Sequence, residues 1–456
     1  MDLRTLSSEE LKNNLKDGKI TVAVYGMGHV GAPLLAAWLL AGARGIGVDI
    51  RKEVVELVNA GRSPVKEPGV EEVLARSLSD GRLKATTDGV SASKESDVKI
   101  LAIPIYLRGK RADLSALESA GRSVGRGLKE GDLVILESSV PPRTTDKVLK
   151  KILEEESGLR AEKDFLLAYS PERIFEGRAL KDIVESYPKI VGGIGPESLR
   201  VASSLYEVVC RKGVIRASNT TVAEFEKLAE GVYRDVNIAL ANELASLCRE
   251  LGVDFEEVRA LANSQPYCHL HRPGTGVGGM CIPYYPLFMN QVAEELGIDL
   301  FLTMTARRIN LEAPQRIALL TKRLIDYLGL VNPRIAVLGL AFRGDVDDTR
   351  ASPTYNLVSE LMKLGLDRIV VHDPFVKKDV ALEGWGIELT DDLEKALDAD
   401  VVIISTDHTA YKKEASFFCR GRVKLLVDGR DVVRPSSDIR CTYVGVGRPI
   451  MKPAGD

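Results

Sequence analysis

Residues 20–49 read ITVAVYGMGHVGAPLLAAWLLAGARGIGVD, and the order of residue types along them decides the fold. Ile20 to Tyr25 is an apolar strand that runs straight into Gly26-Met27-Gly28-His29-Val30-Gly31. The longest apolar run of the chain, Val30 to Ala43, is too short to span a bilayer and reads as a buried helix. A second strand, Gly45 to Val48, ends at Asp49. Strand, Gly-x-Gly-x-x-Gly, helix, strand and acid together form a complete dinucleotide-binding unit. Gly26 permits the turn, Gly28 admits a pyrophosphate, and Gly31 lets helix pack on strand. The helix N-terminus favours the phosphate charge. Asp49 can accept hydrogen bonds from ribose hydroxyls and would repel a 2′-phosphate, so NAD is expected over NADP, with Arg51 working against that preference.

Working outward, further strands are expected at Val98–Ile103, ending at Pro104, at Leu133–Leu136, and at Phe165–Tyr169. In a doubly wound sheet such strand ends line the cofactor crevice. The second runs into ESSVPPRTT (137–145), which places Glu137, Ser138 and Ser139 either toward nicotinamide and substrate or in a serine-capped turn. The third runs into SPERIFEGRAL (170–180), with Glu172 and Glu176 flanking Arg173. A long helix is expected over Thr220–Leu251, opened by a threonine cap and closed on Gly252. Its alanines suit close packing against a second copy, so a homodimer through this helix is expected. Lys227 on it has the look of a solvated lysine.

The stretch PGTGVGGMCIPYYP (273–286) follows, with glycine at 274, 276, 278 and 279 before a lone Cys281. Glycine lets the main chain approach a ligand closely, so Cys281 is either held at a ligand or is a buried thiol beyond a tight turn. At Arg334 a second α/β unit begins: RIAVLGLAF, RGDVDDTRASP, a helix over Thr354–Leu364, a strand over Arg368–Val371 and His372-Asp373-Pro374. It has the form of a Rossmann half without the second glycine, so no second dinucleotide is expected. Arg343 and Arg350 sit where anions bind, or pair with Asp345, Asp347 and Asp348. A later strand, Asp400–Ser405, ends at a loop histidine, His408.

Composition bounds the partners. Charged residues make up 28% of 456 and the net charge is −3, which gives no reason to expect nucleic acid or an anionic membrane. The six cysteines stand at 210, 248, 268, 281, 419 and 441, with no CxxC pair and no His-Cys spacing for a metal. That scatter favours a reducing cytoplasm and argues against disulfides. The charged N-terminus is not a signal peptide.

GMGHVG, ESSVPPRTT, SPERIFEGRAL, KLAEGVYRDVNIALANELA, PGTGVGGMCIP and GLAFRGDVDDTRASP occur in this order along nearly the whole chain. In this set the chain resembles the UDP-glucose/GDP-mannose dehydrogenase family, four-electron enzymes that oxidise a sugar 6-hydroxymethyl to a carboxylate with two NAD. YRDVNIALANE and SPER are most similar to the UDP-N-acetylmannosamine dehydrogenase branch; EGRAL looks more like the UDP-glucose branch. The resemblance implies an α/β fold in three parts. These are an NAD-binding Rossmann domain (1–215), a central helical and dimerisation domain with the cysteine loop (216–325), and a UDP-sugar-binding Rossmann-like domain (326–456).

It further implies site residues. Cys281 would add to the aldehyde, giving a thiohemiacetal and then a thioester. Lys227 would stabilise the oxyanion and the thiolate, Glu172 would activate water, and Ser139 stands where the family has threonine. Gly26, Gly28, Gly31, Asp49, Pro104, Ser139, Glu176 and Arg350 would bind NAD. The sugar nucleotide would meet Glu172, Arg173, Lys227, Gly276, Gly278, Phe342 and Arg343, and the product would feed polysaccharide biosynthesis. Three departures stand out: Gly231 for the family's asparagine, Tyr285 for its aspartate, and Met280 for the amino-sugar branch's histidine. Glu176 is the candidate to fill the polar gap they leave. Two other readings stand beside this one: an NAD- and nucleotide-sugar-binding homologue with weakened catalysis, and a two-electron hydroxyacid dehydrogenase, which fits the first domain but leaves the cysteine loop and the second α/β unit unused.

Overall fold

The central strands of this chain are short runs buried on both faces, which is what a parallel sheet covered by helices requires. The computed structural model describes residues 1–435 and 439–453. It divides into two compact units: Met1–Ala229 with Gln291–Gly297, and the rest of the described chain.

In the first unit, β1 (Thr21–Tyr25), β2 (Arg44–Val48), β3 (Leu83–Thr86) and β4 (Val98–Leu101) are followed by a small hairpin, β5 (Tyr106–Arg108) and β6 (Arg111–Asp113). Then come β7 (Leu133–Leu136), β8 (Leu166–Tyr169), β9 (Lys189–Gly193) and β10 (Val214–Ala217). Among the described residues the main sheet has the order β10-β9-β8-β7-β4-β1-β2-β3. From β3 to β8 this is the doubly wound dinucleotide order, with its switch point between β1 and β4. The helix Gly31–Leu40 behind β1 is buried along almost its whole length, and its Trp38 meets Tyr206 edge-on at 5.2 Å. Each such large apolar side chain contributes about 1.5–3 kcal/mol by leaving water.

The last two strands reverse the pattern. β9 runs antiparallel to β8, with Ala168 opposite Gly193 and Tyr169 opposite Gly192, and β10 runs parallel to β9. Reversal brings the first residue of β9, Lys189, to the edge at which β7 and β8 end.

The long helix spans Thr220–Leu251. Its N-terminus is closed not by Thr220 but by Asn219, whose Oδ1 accepts the Val222 N–H at 2.9 Å. Thr220 is already the first helical residue, so the capping position falls to the residue before it. Gly252 at φ 74° ends it, with Val253 N–H donating to the Cys248 carbonyl at 2.9 Å.

In the second unit β11 (Ile335–Leu338), β12 (Ile369–His372), β13 (Glu388–Thr390), β14 (Val401–Ile404), β15 (Leu425–Asp428) and β16 (Thr442–Gly445) form a sheet of order β13-β12-β11-β14-β15-β16. All its pairings are parallel. Among the described residues the expected half is therefore a six-stranded Rossmann sheet. Apolar cores cover it on both sides, one around Val337, Leu357 and Leu361, the other around Leu338, Phe418 and Tyr443. Among the described residues no helix is long and apolar enough to cross a membrane.

The expectation against disulfides is corrected: Cys419 and Cys441 are bonded. Their spacing follows no cysteine motif. Cys419 ends the short helix Ala415–Phe418 and Cys441 precedes β16, and the sheet brings the two together. The bond closes a loop of sequence separation 22, so by loop entropy it stabilises the fold by about 3 kcal/mol. Guanidinium unfolding with a reducing agent should show that loss relative to oxidised protein, and a Cys419→Ser/Cys441→Ser variant should not respond to the agent. Superimposable curves for oxidised and reduced unmutated protein would overturn the prediction.

Candidate active site

The three glycines of the first loop do three different things. Gly26 has φ 90°, and a β-carbon on it would lie 2.6 Å from the Ala102 carbonyl oxygen. A β-carbon on Gly31 would run into the carbonyl of Gly26, so this glycine sets the close approach of helix and turn. A β-carbon on Gly28 would meet nothing within 4 Å. That open side is the room a pyrophosphate needs at a helix N-terminus. Asp49 is 8% exposed; one of its oxygens accepts the Met27 N–H at 3.0 Å and the other the Arg51 N–H at 3.0 Å. The carboxylate thus ties the glycine loop to the turn after β2 and retains acceptor capacity for ribose hydroxyls. The Arg51 side chain turns onto the same carboxylate, with Nε 3.4 Å from Oδ1. These residues fit an NAD molecule. Glu176 meets His29 of the glycine loop, Oε1 to Nδ1 3.0 Å, and Pro104 is exposed beyond β4.

At the ends of β7 and β8 the side chains turn inward. Glu137 is buried, held by Lys189 at 2.7 Å and by the Tyr206 hydroxyl. Ser138 joins strand ends, its Oγ accepting the Ile103 N–H at 2.9 Å. A buried carboxylate needs a cation and donors, and the inner strand end supplies them. Ser139, next in the chain, is half-buried. Glu172 lies 2.6 Å from the Lys189 ammonium, and its other oxygen accepts the Arg173 N–H at 2.8 Å. The Arg173 guanidinium caps the Tyr187 ring at 5.0 Å and donates to the Pro188 carbonyl. Lys227 is not a solvated lysine; it is 6% exposed.

Lys189 escaped the sequence reading. Its strand, KIVGG, carries two glycines, and a lysine at a strand start ordinarily marks the surface.

In the second unit the cysteine loop is packed by its glycines. Gly276 has φ 149° and Gly279 φ 80°, and β-carbons on Gly276 and Gly278 would press on Pro353 at 2.9 Å and on the Phe342 Cβ at 2.6 Å. The Gly279 N–H donates to the Arg350 carbonyl at 2.9 Å, and Thr275 Oγ1 donates to the Gly429 carbonyl at 3.1 Å. Two asparagines of the long helix, which the sequence reading quoted without a role, hold the approach. Asn237 accepts the His271 N–H at 2.8 Å and Asn242 the Gly274 N–H at 2.9 Å. Cys281 emerges exposed.

Arg350 forks onto Asp348, 2.8 and 3.0 Å from its Nε, and reaches the Met280 sulfur at 3.3 Å; of the two arginine readings, the salt-bridge one describes it here. Arg343 is half-buried in the turn after β11. Asp373 closes β12 as Asp49 closes β2, but its oxygens accept N–H groups of Leu340, Ala341, Phe375 and Val376 and face His408 Nε2 at 3.1 Å. Burial pushes its carboxyl up, yet His408 and these amides hold it at about 2. His408 is a fully buried partner of this acid. Among the described residues no cluster of three His, Cys, Asp or Glu side chains is placed to hold a metal.

Gly231 and Tyr285, two of the departures noted above, meet. A β-carbon on Gly231 would run into the Tyr285 ring, which is 3% exposed. The ring takes the space beside Gly231, so the two substitutions are one change.

Three family models match in succession: the UDP-glucose/GDP-mannose dehydrogenase family NAD binding domain over residues 20–210, its central domain over 221–312 and its UDP binding domain over 336–435. A UDP-N-acetyl-D-mannosamine dehydrogenase from Pyrococcus horikoshii is 38% identical over 94% of this chain and 99% of its own length. A solved UDP-D-ManNAc dehydrogenase structure from that organism has a TM-score of 0.85 at 36% identity, covering 94% of this chain and 99% of that one. An NDP-N-acetyl-D-galactosaminuronic acid dehydrogenase structure from Methanosarcina mazei has a TM-score of 0.82 at 33% identity, covering 97% and 98%.

The Gly231–Tyr285 contact sets up a double-mutant cycle. Gly231→Asn alone overfills the site and should cost about 1–3 kcal/mol in urea unfolding. Combined with Tyr285→Asp it should cost at least about 1 kcal/mol less than the two single changes summed. Simple additivity would show that the residues are not matched.

Proposed function

Because the chain belongs to the UDP-glucose/GDP-mannose dehydrogenase family and is an NAD-dependent nucleotide-sugar dehydrogenase, we propose that it oxidises the 6-hydroxymethyl of UDP-N-acetylmannosamine to the carboxylate. UDP-glucose and UDP-N-acetylglucosamine are the alternative substrates. The relatives' names and the SPER and YRDVNIALANE stretches support the amino sugar. One observation carries the chemistry: of the free cysteines among the described residues, Cys281 is the exposed one, at the end of a loop packed into place by glycines.

NAD, held by Gly26, Gly28, Gly31 and Asp49, supplies the hydride acceptor. The Cys281 thiolate adds to the aldehyde carbon left by the first oxidation, and the oxygen becomes the alkoxide of a thiohemiacetal. The buried Lys227 ammonium is assigned to stabilising that alkoxide. Loss of the second hydride gives a thioester. Glu172 takes a proton from water as it attacks the thioester carbon; the carbon–sulfur bond breaks and the sugar leaves as a carboxylate. Ser139 offers a hydroxyl for the alcohol of the first step.

A second reading, an enzyme slowed at thioester hydrolysis, is favoured by the Tyr285 ring beside Gly231. The long helix also supports a homodimer: Tyr233, Leu240 and Leu247, seven residues apart, are 51%, 44% and 57% exposed, a stripe that a second copy would cover. The cytoplasm is the proposed setting.

Mixing the enzyme with NAD and each UDP-sugar should give two NADH per sugar, fastest with UDP-N-acetylmannosamine. Cys281→Ser should stop after the first oxidation, and intact-mass analysis of the unmutated enzyme should catch sugar on Cys281; uronate formation by Cys281→Ser at the full rate would sink the mechanism. A burst of NADH before a slow phase would mark the second reading, and a linear course from the start the first. Light scattering should give a dimer at micromolar concentration and a monomer for Leu240→Glu/Leu247→Glu; a monomeric unmutated chain would overturn the dimer.

A further inference from the structure

Lys189 is 5% exposed, its ammonium almost wholly withdrawn from bulk solvent. It lies 2.6 Å from Glu172, 2.7 Å from Glu137 and 5.4 Å from the centroid of the Tyr206 ring. The reversed β9 brings it there, since the pairing that sets Tyr169 opposite Gly192 continues with Ser170 Oγ bonded to the Ile190 carbonyl at 2.8 Å. We propose that Lys189 is the positioning residue of the water-activating carboxylate, fixing Glu172 in place, while Glu137 competes for the same ammonium.

The inference rests on the reading of Glu172 given above. It deepens that reading by naming what makes a nearly buried carboxylate a usable base. An isolated carboxylate at this burial would hold its proton. The neighbouring ammonium supplies the compensating charge, and the Arg173 N–H on the other oxygen leaves the carboxylate one orientation. One cation faces two carboxylates, so the fully ionised cluster carries a single net negative charge.

Other groups also face the cluster. From the helix Pro196–Val209 and its end come Tyr206, donating to Glu137, and the Cys210 thiol, which burial pushes up to about 12 so that it adds no charge. From the loops come Tyr187 and the Arg173 guanidinium, the latter 3.8 Å from Glu226 of the long helix. Burial pushes Glu137 up, against the pull of Lys189, while Lys189 itself is raised by the two carboxylates against its burial. Both carboxylates therefore lean on the one ammonium.

The signs for substitution follow. Removing the ammonium leaves Glu172 beside a second carboxylate and raises the pH at which it ionises. Removing the charge of Glu137 gives Glu172 the whole of Lys189 and lowers that pH.

The test uses the full-length enzyme with NAD and UDP-N-acetylmannosamine, reading kcat against pH. Glu172→Gln comes first: near-complete loss of turnover supports the base reading, while unchanged turnover sinks that reading and this inference with it. With that loss established, Lys189→Met should lower kcat at neutral pH at least about tenfold. Its KM values should stay within about threefold, and its acidic limb should move up by about one pH unit or more. Lys189→Arg should recover most of the rate and leave the limb in place. Glu137→Gln should move the limb the opposite way. If Lys189→Met does not fold, Glu137→Gln and Lys189→Arg carry the decision. A Glu137→Gln limb that coincides with the unmutated one overturns the proposal while leaving Glu172 as the base, as do rates lost in Lys189→Met with an unmoved profile.

Discussion

An ammonium group cannot be taken out of water without carboxylates to receive it, and around Lys189 that requirement ties three strand ends of the first sheet together. β7 contributes Glu137, the loop after β8 contributes Glu172, and β9 contributes the lysine. Breaking such a pair by removing one partner costs about 3–5 kcal/mol, far more than an exposed ion pair. The arrangement exists only because β9 runs against β8. Had the sheet stayed parallel throughout, Lys189 would start its strand at the opposite edge, away from every residue assigned to chemistry in this unit.

Close backbone approach is the second constraint, and the two glycine loops use it differently. In the first loop only Gly28 faces open space, while Gly26 and Gly31 are held by contact with the chain itself. In the second, the glycines before Cys281 press on Phe342 and Pro353, so the loop has little freedom and the thiol at its end is presented rather than buried. Gly231 obeys the same logic from the other side. It has no side chain because Tyr285 occupies the place of one, which turns two apparent losses of polar groups into one packing solution.

The six parallel strands of the first sheet follow the same order as the second sheet, but the two do not share their use of the acid after the second strand. Asp49 binds its loop through a few amides and keeps acceptor capacity. Asp373 spends its oxygens on four amides and the buried His408. The topology that offers a nucleotide edge is thus present twice, and in the second sheet the acid that would meet a ribose is already satisfied internally.

The sequence by itself determined whatever is written in local order. The glycine spacing and Asp49 announced the first nucleotide fold, the uninterrupted helical run announced Thr220–Leu251, and the six motifs in succession announced the family. Such features are legible because turns, helix periods and tight glycine contacts are set by neighbours in the chain. Tertiary structure alone decided what depends on partners distant in sequence. It turned Glu137 and Ser138 inward, buried Lys227, and set Tyr285 against Gly231. It also bonded Cys419 to Cys441 and moved the cap of the long helix to Asn219. It decided the partner of Glu172 as well: Lys189 stands 17 residues away, and only the direction of one strand says whether that lysine meets water or a carboxylate.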